Sequence, residues 1–281
     1  MSISPGLTAT SDETVTSVAT RTSDISVADD DLRESLRQPG STGSIHSWEL
    51  VTAVDGPGSR LTVFLAGCPL RCLYCHNPDT WQMRRGERHT VEQVMAKVRR
   101  YEPVLRATGG GVTLSGGEPL LQAPFVENIF AECKKLGIHT ALDTSGFLGG
   151  RASNGLLSNT DLVLLDVKSG LPDVYRKATS RPLQPTLDFG RRLAAQDKRV
   201  WVRFVLVPGL TDGEDNVESV AAYVASLGNV ERVEVLPFHQ MGKDKWAVLD
   251  EAYALADTEP PTEERLVRVR AQFEQHGLTV F

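Results

Sequence analysis

LVLLDVK, at residues 162–168, opens with four apolar residues before its first charge. A strand with one face in water alternates apolar and polar positions. A continuous run fits a strand covered on both faces, as in a parallel sheet packed between helices. Five more segments share the texture: LTVFLA (61–66), GVTLS (111–115), IHTALD (138–143), VWVRFVLV (200–207) and RVEVLPF (232–238). Amphipathic helical patterns lie between and after them: TVEQVMAKVRRYEPVL (90–105), QAPFVENIFAECKKLG (122–137), TLDFGRRLAAQDK (186–198), NVESVAAYVASLG (216–228) and TEERLVRVRAQFEQHG (262–277), before a short LTVF (278–281). Thr90 is placed to cap the first, with Glu92 and Gln93 in its first turn, and Gly137 and Gly228 stand where helix C-caps fall. Such strands recur every ~25–50 residues, the period of β/α units with right-handed crossovers. Six units of this α/β kind suit a parallel barrel, closed or partly open, better than a doubly wound sheet.

The first residues break the pattern. Residues 1–44 hold 16 Ser or Thr, seven acidic and three basic residues and no aromatics. Such a segment buries too little apolar surface to offset its ordering entropy. Residues 1–43 are therefore expected to be a disordered tail, with a short helix around Asp30–Arg37, and residues 44–281 to form the barrel domain. The net charge of −6 argues against nucleic acid as the main partner, because phosphate binding leaves a basic footprint. No apolar run is long enough to span a bilayer, and MSISPGLTAT lacks the form of a signal peptide. A cytoplasmic, reducing location and a monomer are expected, so the four cysteines point to metal or redox chemistry rather than disulfides.

In parallel barrels the chemistry gathers at the C-terminal ends of the strands. The first candidate strand runs into Gly67-Cys68, the second into Ser115-Gly116-Gly117-Glu118-Pro119 and the third into Asp143-Thr144-Ser145-Gly146. The fourth ends in Asp166-Val167-Lys168, the fifth carries Arg203 mid-run, and the sixth leads to Pro237-Phe238-His239. Each alone has an ordinary structural explanation, as a turn, a cap or an ion pair. Together on one rim they favour an active site.

Three of the four cysteines, Cys68, Cys72 and Cys75, fall in GCPLRCLYCHN (67–77). Zinc asks for four ligands, and His76, next to Cys75, would strain a tetrahedron. Cys133 sits on a helical pattern and reads as a core cysteine. A redox dithiol would use Cys72 and Cys75 and leave Cys68 unexplained. An iron–sulfur cube on three thiolates leaves one iron open to substrate or cofactor.

The Cys68-x3-Cys72-x2-Cys75 spacing, with Tyr74 before the last cysteine, resembles the cluster motif of the radical S-adenosylmethionine (SAM) superfamily, and Gly116-Gly117-Glu118-Pro119 its second motif. Asp55-Gly56-Pro57-Gly58-x-Arg60, followed by Phe64 and Gly67-Cys68, resembles the signature of glycyl-radical activating enzymes. CLYCHNPDTW (72–81), GGGVTLSGGE (109–118), KKLGIHTALDTSGF (134–147), LLDVK (164–168), VWVRFVLVPG (200–209) and GNVERVEVLPFHQMGKDKW (228–246) extend the likeness over about residues 44–281. No cysteines remain for the second cluster that several such activators carry.

The resemblance implies a partial, open (β/α)6 barrel and a [4Fe–4S] cluster on Cys68, Cys72 and Cys75, with SAM on the open iron. It implies an external donor, flavodoxin or ferredoxin, supplying one electron under anaerobic conditions. A 5′-deoxyadenosyl radical would then take a hydrogen from a glycine Cα of the partner, pyruvate formate-lyase. By the same resemblance Tyr74, Cys75, His76, Gly116, Gly117, Asp166, Val167, Lys168, Arg203 and His239 contact SAM. Asp143 and Asp166 would attract a monovalent cation, and Asp55, Gly56, Pro57 and Gly58 would meet the partner's glycine loop. The alternatives are an activator of another glycyl-radical enzyme, a radical enzyme acting on a small molecule, and a zinc-stabilised interaction protein.

Overall fold

The computed structural model describes residues 40–52 and 54–281. The tail expected over residues 1–43, as far as residue 39, and the helix expected around Asp30–Arg37 lie outside the described residues. Residues 42 and 43 belong to the first strand, β1 (Thr42–Thr52), so the expected domain boundary falls inside it.

Among the described residues eight strands form one sheet in the order β3-β1-β2-β4-β5-β6-β7-β8. β2 (Arg60–Leu65), β4 (Gly111–Gly116), β5 (His139–Thr144), β6 (Leu162–Asp166), β7 (Val200–Leu206) and β8 (Val230–Pro237) are the six expected from the apolar runs, and all are mutually parallel. The order does not return from β8 to the first strand, so the barrel is open. Two strands were not foreseen. β1 and β3 (Glu87–Thr90) pair antiparallel at one edge, β1 with β2 and β3 with β1.

The helices are α1 (Val91–Ala107), α2 (Ala123–Lys135), α3 (Asn154–Ser158), α4 (Pro172–Thr179), α5 (Gln184–Ala195), α6 (Glu214–Leu227), α7 (Lys243–Val248) and α8 (Glu263–Gln275). Thr90 and Gln93 form a reciprocal capping box on α1, and Gly228 ends α6 at φ +72°. Both faces of the parallel strands are covered, as their runs required. Leu142, Val163, Leu165 and Val202 join the helix-packed core with Phe125, Phe130, Phe189, Phe204 and Phe273. Their neighbours Ala141, Leu162, Leu164 and Trp201 form a separate buried cluster, since successive strand residues point to opposite faces. Cys133 is fully buried on α2, 4.0 Å from Met95 Sδ, as a core cysteine. Among the described residues no helix is long and apolar enough to cross a membrane.

Candidate active site

At the C-terminal ends of the parallel strands lies a cavity of about 310 Å³. That is near the lower end of the range of small-molecule pockets, roughly 300–1,000 Å³. Cys68, Cys72 and Cys75 line it together with Tyr74, His76, Gly116, Gly117, Asp143, Asp166, Lys168, Arg203 and Asp55. Residues from six separate stretches of sequence thus converge on one wall.

The cysteine loop leaves β2 and is tied down from two sides. The amides of Gly67 and Cys68 donate to Thr80 O (2.6 Å) and Trp81 O (3.0 Å), and those of Arg71 and Leu73 donate to Thr179 O (2.8 Å) and Ala178 O (2.9 Å) at the end of α4. Trp246 of α7 donates from Nε1 to Cys75 O at 2.9 Å and stacks edge-on to Trp81 at 5.1 Å. Gly116 and Gly117 let β4 approach this loop. A Cβ on Gly116, at φ +114°, would stand 2.3 Å from Leu65 N, and one on Gly117 would stand 2.3 Å from Gly67 O and 3.1 Å from Cys68 Cβ. Their lack of a side chain is therefore demanded by the neighbouring backbone as well as leaving the cavity clear.

Burial, reinforced by Cys72 and Glu118, holds the Cys68 thiol well above the usual range. Burial pushes Cys72 up to about 12, with Lys168 opposing, and it raises Cys75 as well. Three neutral thiols around one cavity, Cys72 buried and Cys68 and Cys75 half-buried, are a soft donor set that a multinuclear iron centre can turn into thiolates, since each binds a separate iron. Among the described residues no three His, Cys, Asp or Glu side chains close on a point that could hold a metal ion, which is the arrangement a lone zinc needs. The Tyr74 hydroxyl, on the same wall, is buried without a hydrogen-bond partner. Three thiols lining one cavity and an unsatisfied hydroxyl on the same wall, with room for a small molecule, fit a cluster and a cofactor.

The charged groups are matched in sign, one lysine to one carboxylate and one arginine to three. Lys168 Nζ lies 3.0 Å from Asp166 Oδ2. Burial opposes its charge, but Asp166, Tyr74 and Cys72 outweigh that and hold the lysine well above its ordinary value. Arg203 meets Asp143 (3.2 Å), Asp55 (3.4 Å) and Glu234 (3.1 Å), and also donates to Val54 O. Burial raises Asp143 to about 6 against the pull of Arg203. Asp143 and Asp166, read from the sequence as a cation pair, thus each already face a protein cation. Glu118 is buried and accepts from Leu120 N, Thr144 Oγ1, Ser145 N and Ser145 Oγ, which binds the ends of β4 and β5 into one unit.

The remaining expected residues lie outside the cavity wall. Val167 packs in the helix-facing core, because the two-residue period that turns Asp166 and Lys168 inward turns it outward. His239 stacks on His76, 4.1 Å between centroids, and its carbonyl accepts from His76 Nε2 at 3.2 Å, so it stands behind the wall. Of the Asp55–Gly58 turn only Asp55 reaches the wall. Gly58, at φ +65°, lies against the backbone of residues 108–110. Thr144 and Ser145, read from the sequence as strand-end residues, line the cavity too, whereas sequence reasoning gave no site role to Phe64, Trp81 and Val205, which also line it. Val205 was within reach of that reasoning, since it stands two residues beyond Arg203 on the same strand face.

Comparison with known proteins bears on the same residues. The model of the radical SAM superfamily matches residues 62–220. The chain is similar to the pyruvate formate-lyase 1-activating enzyme of Escherichia coli strain K12, at 44% identity over 237 residues, covering 84% of this chain and 96% of the relative. It is similar to the pyruvate formate-lyase-activating enzyme of Staphylococcus aureus strain USA300, at 46% identity over 229 residues and 79% and 91% coverage. In fold it is similar to a radical SAM methyltransferase from Sphaerobacter thermophilus, with a TM-score of 0.58 at 18% identity, covering 85% of this chain and 76% of that one. With its cysteine motif in a cavity at the strand ends of an open parallel barrel, the chain belongs to the radical SAM superfamily and, within it, to the family of pyruvate formate-lyase-activating enzymes.

Proposed function

We propose that this chain activates pyruvate formate-lyase by making a glycyl radical in it. The carrying observation is the meeting of Cys68, Cys72 and Cys75 with Gly116, Gly117, Asp166 and Lys168 around one strand-end cavity. The relatives' names supply the partner. Cys68, Cys72 and Cys75 would hold a [4Fe–4S] cluster, and Tyr74, Gly116, Gly117, Asp166 and Lys168 would face SAM. When bound, the two supply one-electron cleavage of the sulfonium, with removal of a hydrogen atom from a glycine Cα of the partner as its outcome.

The protein's own residues bind, orient and exclude water. Tyr74 offers its unpaired hydroxyl to a polar group of the bound cofactor. Lys168, kept protonated by Asp166, presents a cation to the cofactor's carboxylate. His76 lies on the wall, braced from behind by His239. Asp143 and Arg203 balance each other's charge under the site, and the Asp55–Gly58 turn, which gives Asp55 to the cavity wall, is assigned to the partner's glycine segment. A monovalent cation near Asp143 and Asp166 would have to compete with Arg203 and Lys168. The electron comes from an external donor of the flavodoxin or ferredoxin kind, and the setting is cytoplasmic, where thiols stay reduced.

The test is anaerobic mixing of the iron-loaded protein with pyruvate formate-lyase, SAM and a reductant, followed by electron paramagnetic resonance. A glycyl doublet is expected with wild type and Cys133→Ala, and none with Cys72→Ala. If Cys72→Ala gives the full signal, the cluster assignment fails. If wild type gives none with pyruvate formate-lyase but does with another glycyl-radical enzyme, the partner assignment fails.

A further inference from the structure

Among the described residues Arg60 is the arginine with least exposed surface, none at all. Among the described residues no carboxylate stands within ion-pair distance of it. Asp55 and Asp161 act on it only from further away, and burial lowers it to about 10. An unpaired buried cation is costly to a fold, and an apolar residue would fill the same space more cheaply. What the guanidinium holds accounts for its presence.

Its donors divide between the barrel and the turn. On the barrel side Nη2 donates to Val112 O at 2.7 Å, and Nη1 donates to His139 Nδ1 at 3.2 Å. Towards the turn, Nη1 donates to Pro57 O at 3.4 Å. Nε donates to Thr113 Oγ1 at 3.0 Å, and that hydroxyl donates in turn to Asp55 O at 2.7 Å. The turn also rests on the guanidinium, since a Cβ on Gly56 would stand 3.3 Å from Arg60 Nε. Two carbonyls of the Asp55–Pro57 turn are therefore fixed, directly or through one hydroxyl, by a side chain anchored in β4 and β5.

We infer that Arg60 is a positioning residue that sets the Asp55–Pro57 turn, and with it Asp55 on the cavity wall, for the glycine segment of the partner. This rests on the function proposed above. Arg60 does not line the cavity and touches neither the cysteine loop nor Lys168. Its loss should weaken engagement of the partner and spare cleavage of SAM.

The experiment uses the iron-loaded full chain in wild-type, Arg60→Met, Arg60→Lys and Thr113→Val forms. Two quantities are read for each: the partner concentration giving half-maximal glycyl radical, and the rate of SAM cleavage by dithionite without partner. In Arg60→Met the first should rise about 10- to 100-fold, the scale set by misplacing a positioning group by about 1 Å. The second should stay within about twofold of wild type. Arg60→Lys should fall between, because an ammonium cannot span all four acceptors. Thr113→Val, which removes only the relay hydroxyl, should raise the partner requirement several-fold, and it decides the matter if Arg60→Met does not fold. An unchanged partner requirement in the folded variants overturns the inference. So does a parallel fall of both quantities, which would make Arg60 a residue of general stability. If wild type cleaves SAM but forms no radical in pyruvate formate-lyase, the proposed function fails first and takes this inference with it.

Discussion

His139 is held neutral. Burial, helped by the neighbouring Arg60, pushes its imidazole from 6.5 down to about 4. Nδ1 accepts from Arg60, so the proton sits on Nε2, which is buried without a partner. The sign follows from linkage. Above about pH 6.5 the ring is neutral folded and unfolded, and its contribution is fully present. As pH falls from 6.5 towards 4 the unfolded chain takes up a proton that the folded one refuses, and stability is lost. Asp143 titrates in part of the same window with the opposite sign, so the reading must be differential. His139→Gln keeps an acceptor for Arg60 and removes the titration. Its melting temperature should fall less than that of wild type between about pH 7.5 and about pH 5, by a few degrees for a domain of this size. Equal falls would mean that His139 charges freely in the folded protein. None of this was legible in IHTALD, where His139 looks like any residue at a strand's start. Its character comes from Arg60, which lies 79 positions away and is brought beside it only by strand order.

At the scale of elements, α7 belongs to the cysteine loop rather than to the barrel. Trp246 bonds Cys75 O and packs on Trp81 and Tyr253, and Lys245 donates to Asn77 Oδ1 at 2.8 Å. Gly242, just before the helix, is so close that a Cβ there would stand 2.8 Å from His76 Cα. Trp246→Phe keeps an aromatic ring but deletes the Nε1 hydrogen bond, about 1 kcal/mol, together with the five-membered half of the indole. Iron release to a chelator should quicken several-fold while far-ultraviolet circular dichroism is unchanged. An unaltered release rate would sever α7 from retention of the cluster. The motif KDKW was visible in the sequence as part of a family resemblance, but its task was not, because the contact joins residues 171 positions apart. The six parallel strands were legible because burial on both faces writes itself as continuous apolar runs. β1 and β3 were not. ERHT of β3 is short and mostly exposed, and as an edge strand it has no need of an apolar face. The candidate site was legible where chemistry restricts residue type, as with three thiols or a buried lysine. It was illegible where only position matters, as with Phe64 and Trp81.

The whole molecule has to manage an open barrel. β8 is an edge of the sheet, and an unpaired edge invites pairing with another chain. The segment from Leu278 to Phe281 covers its middle. The amide of Val233 donates to Thr279 O (2.8 Å), that of Val235 to Phe281 O (3.0 Å), and that of Phe281 to Val233 O (2.9 Å). Arg232 is stacked between Trp201 (3.4 Å) and Phe281 (4.9 Å), so the same segment closes one side of the barrel around Trp201. Removing residues 278–281 deletes three backbone hydrogen bonds, a loss of roughly 3 kcal/mol at about 1 kcal/mol each, and frees two amides of β8. The truncated chain should melt several degrees lower and show concentration-dependent association on size exclusion. The cysteine loop is anchored by Thr80, Trp81, Ala178, Thr179 and Trp246, none of them in this segment, so reconstituted iron per chain should be unchanged. A truncated chain that stays at the size of the full one would show that β8 is protected without the segment. Loss of iron together with the strand would show that the segment and the cysteine loop are coupled, which their separate hydrogen-bond sets argue against.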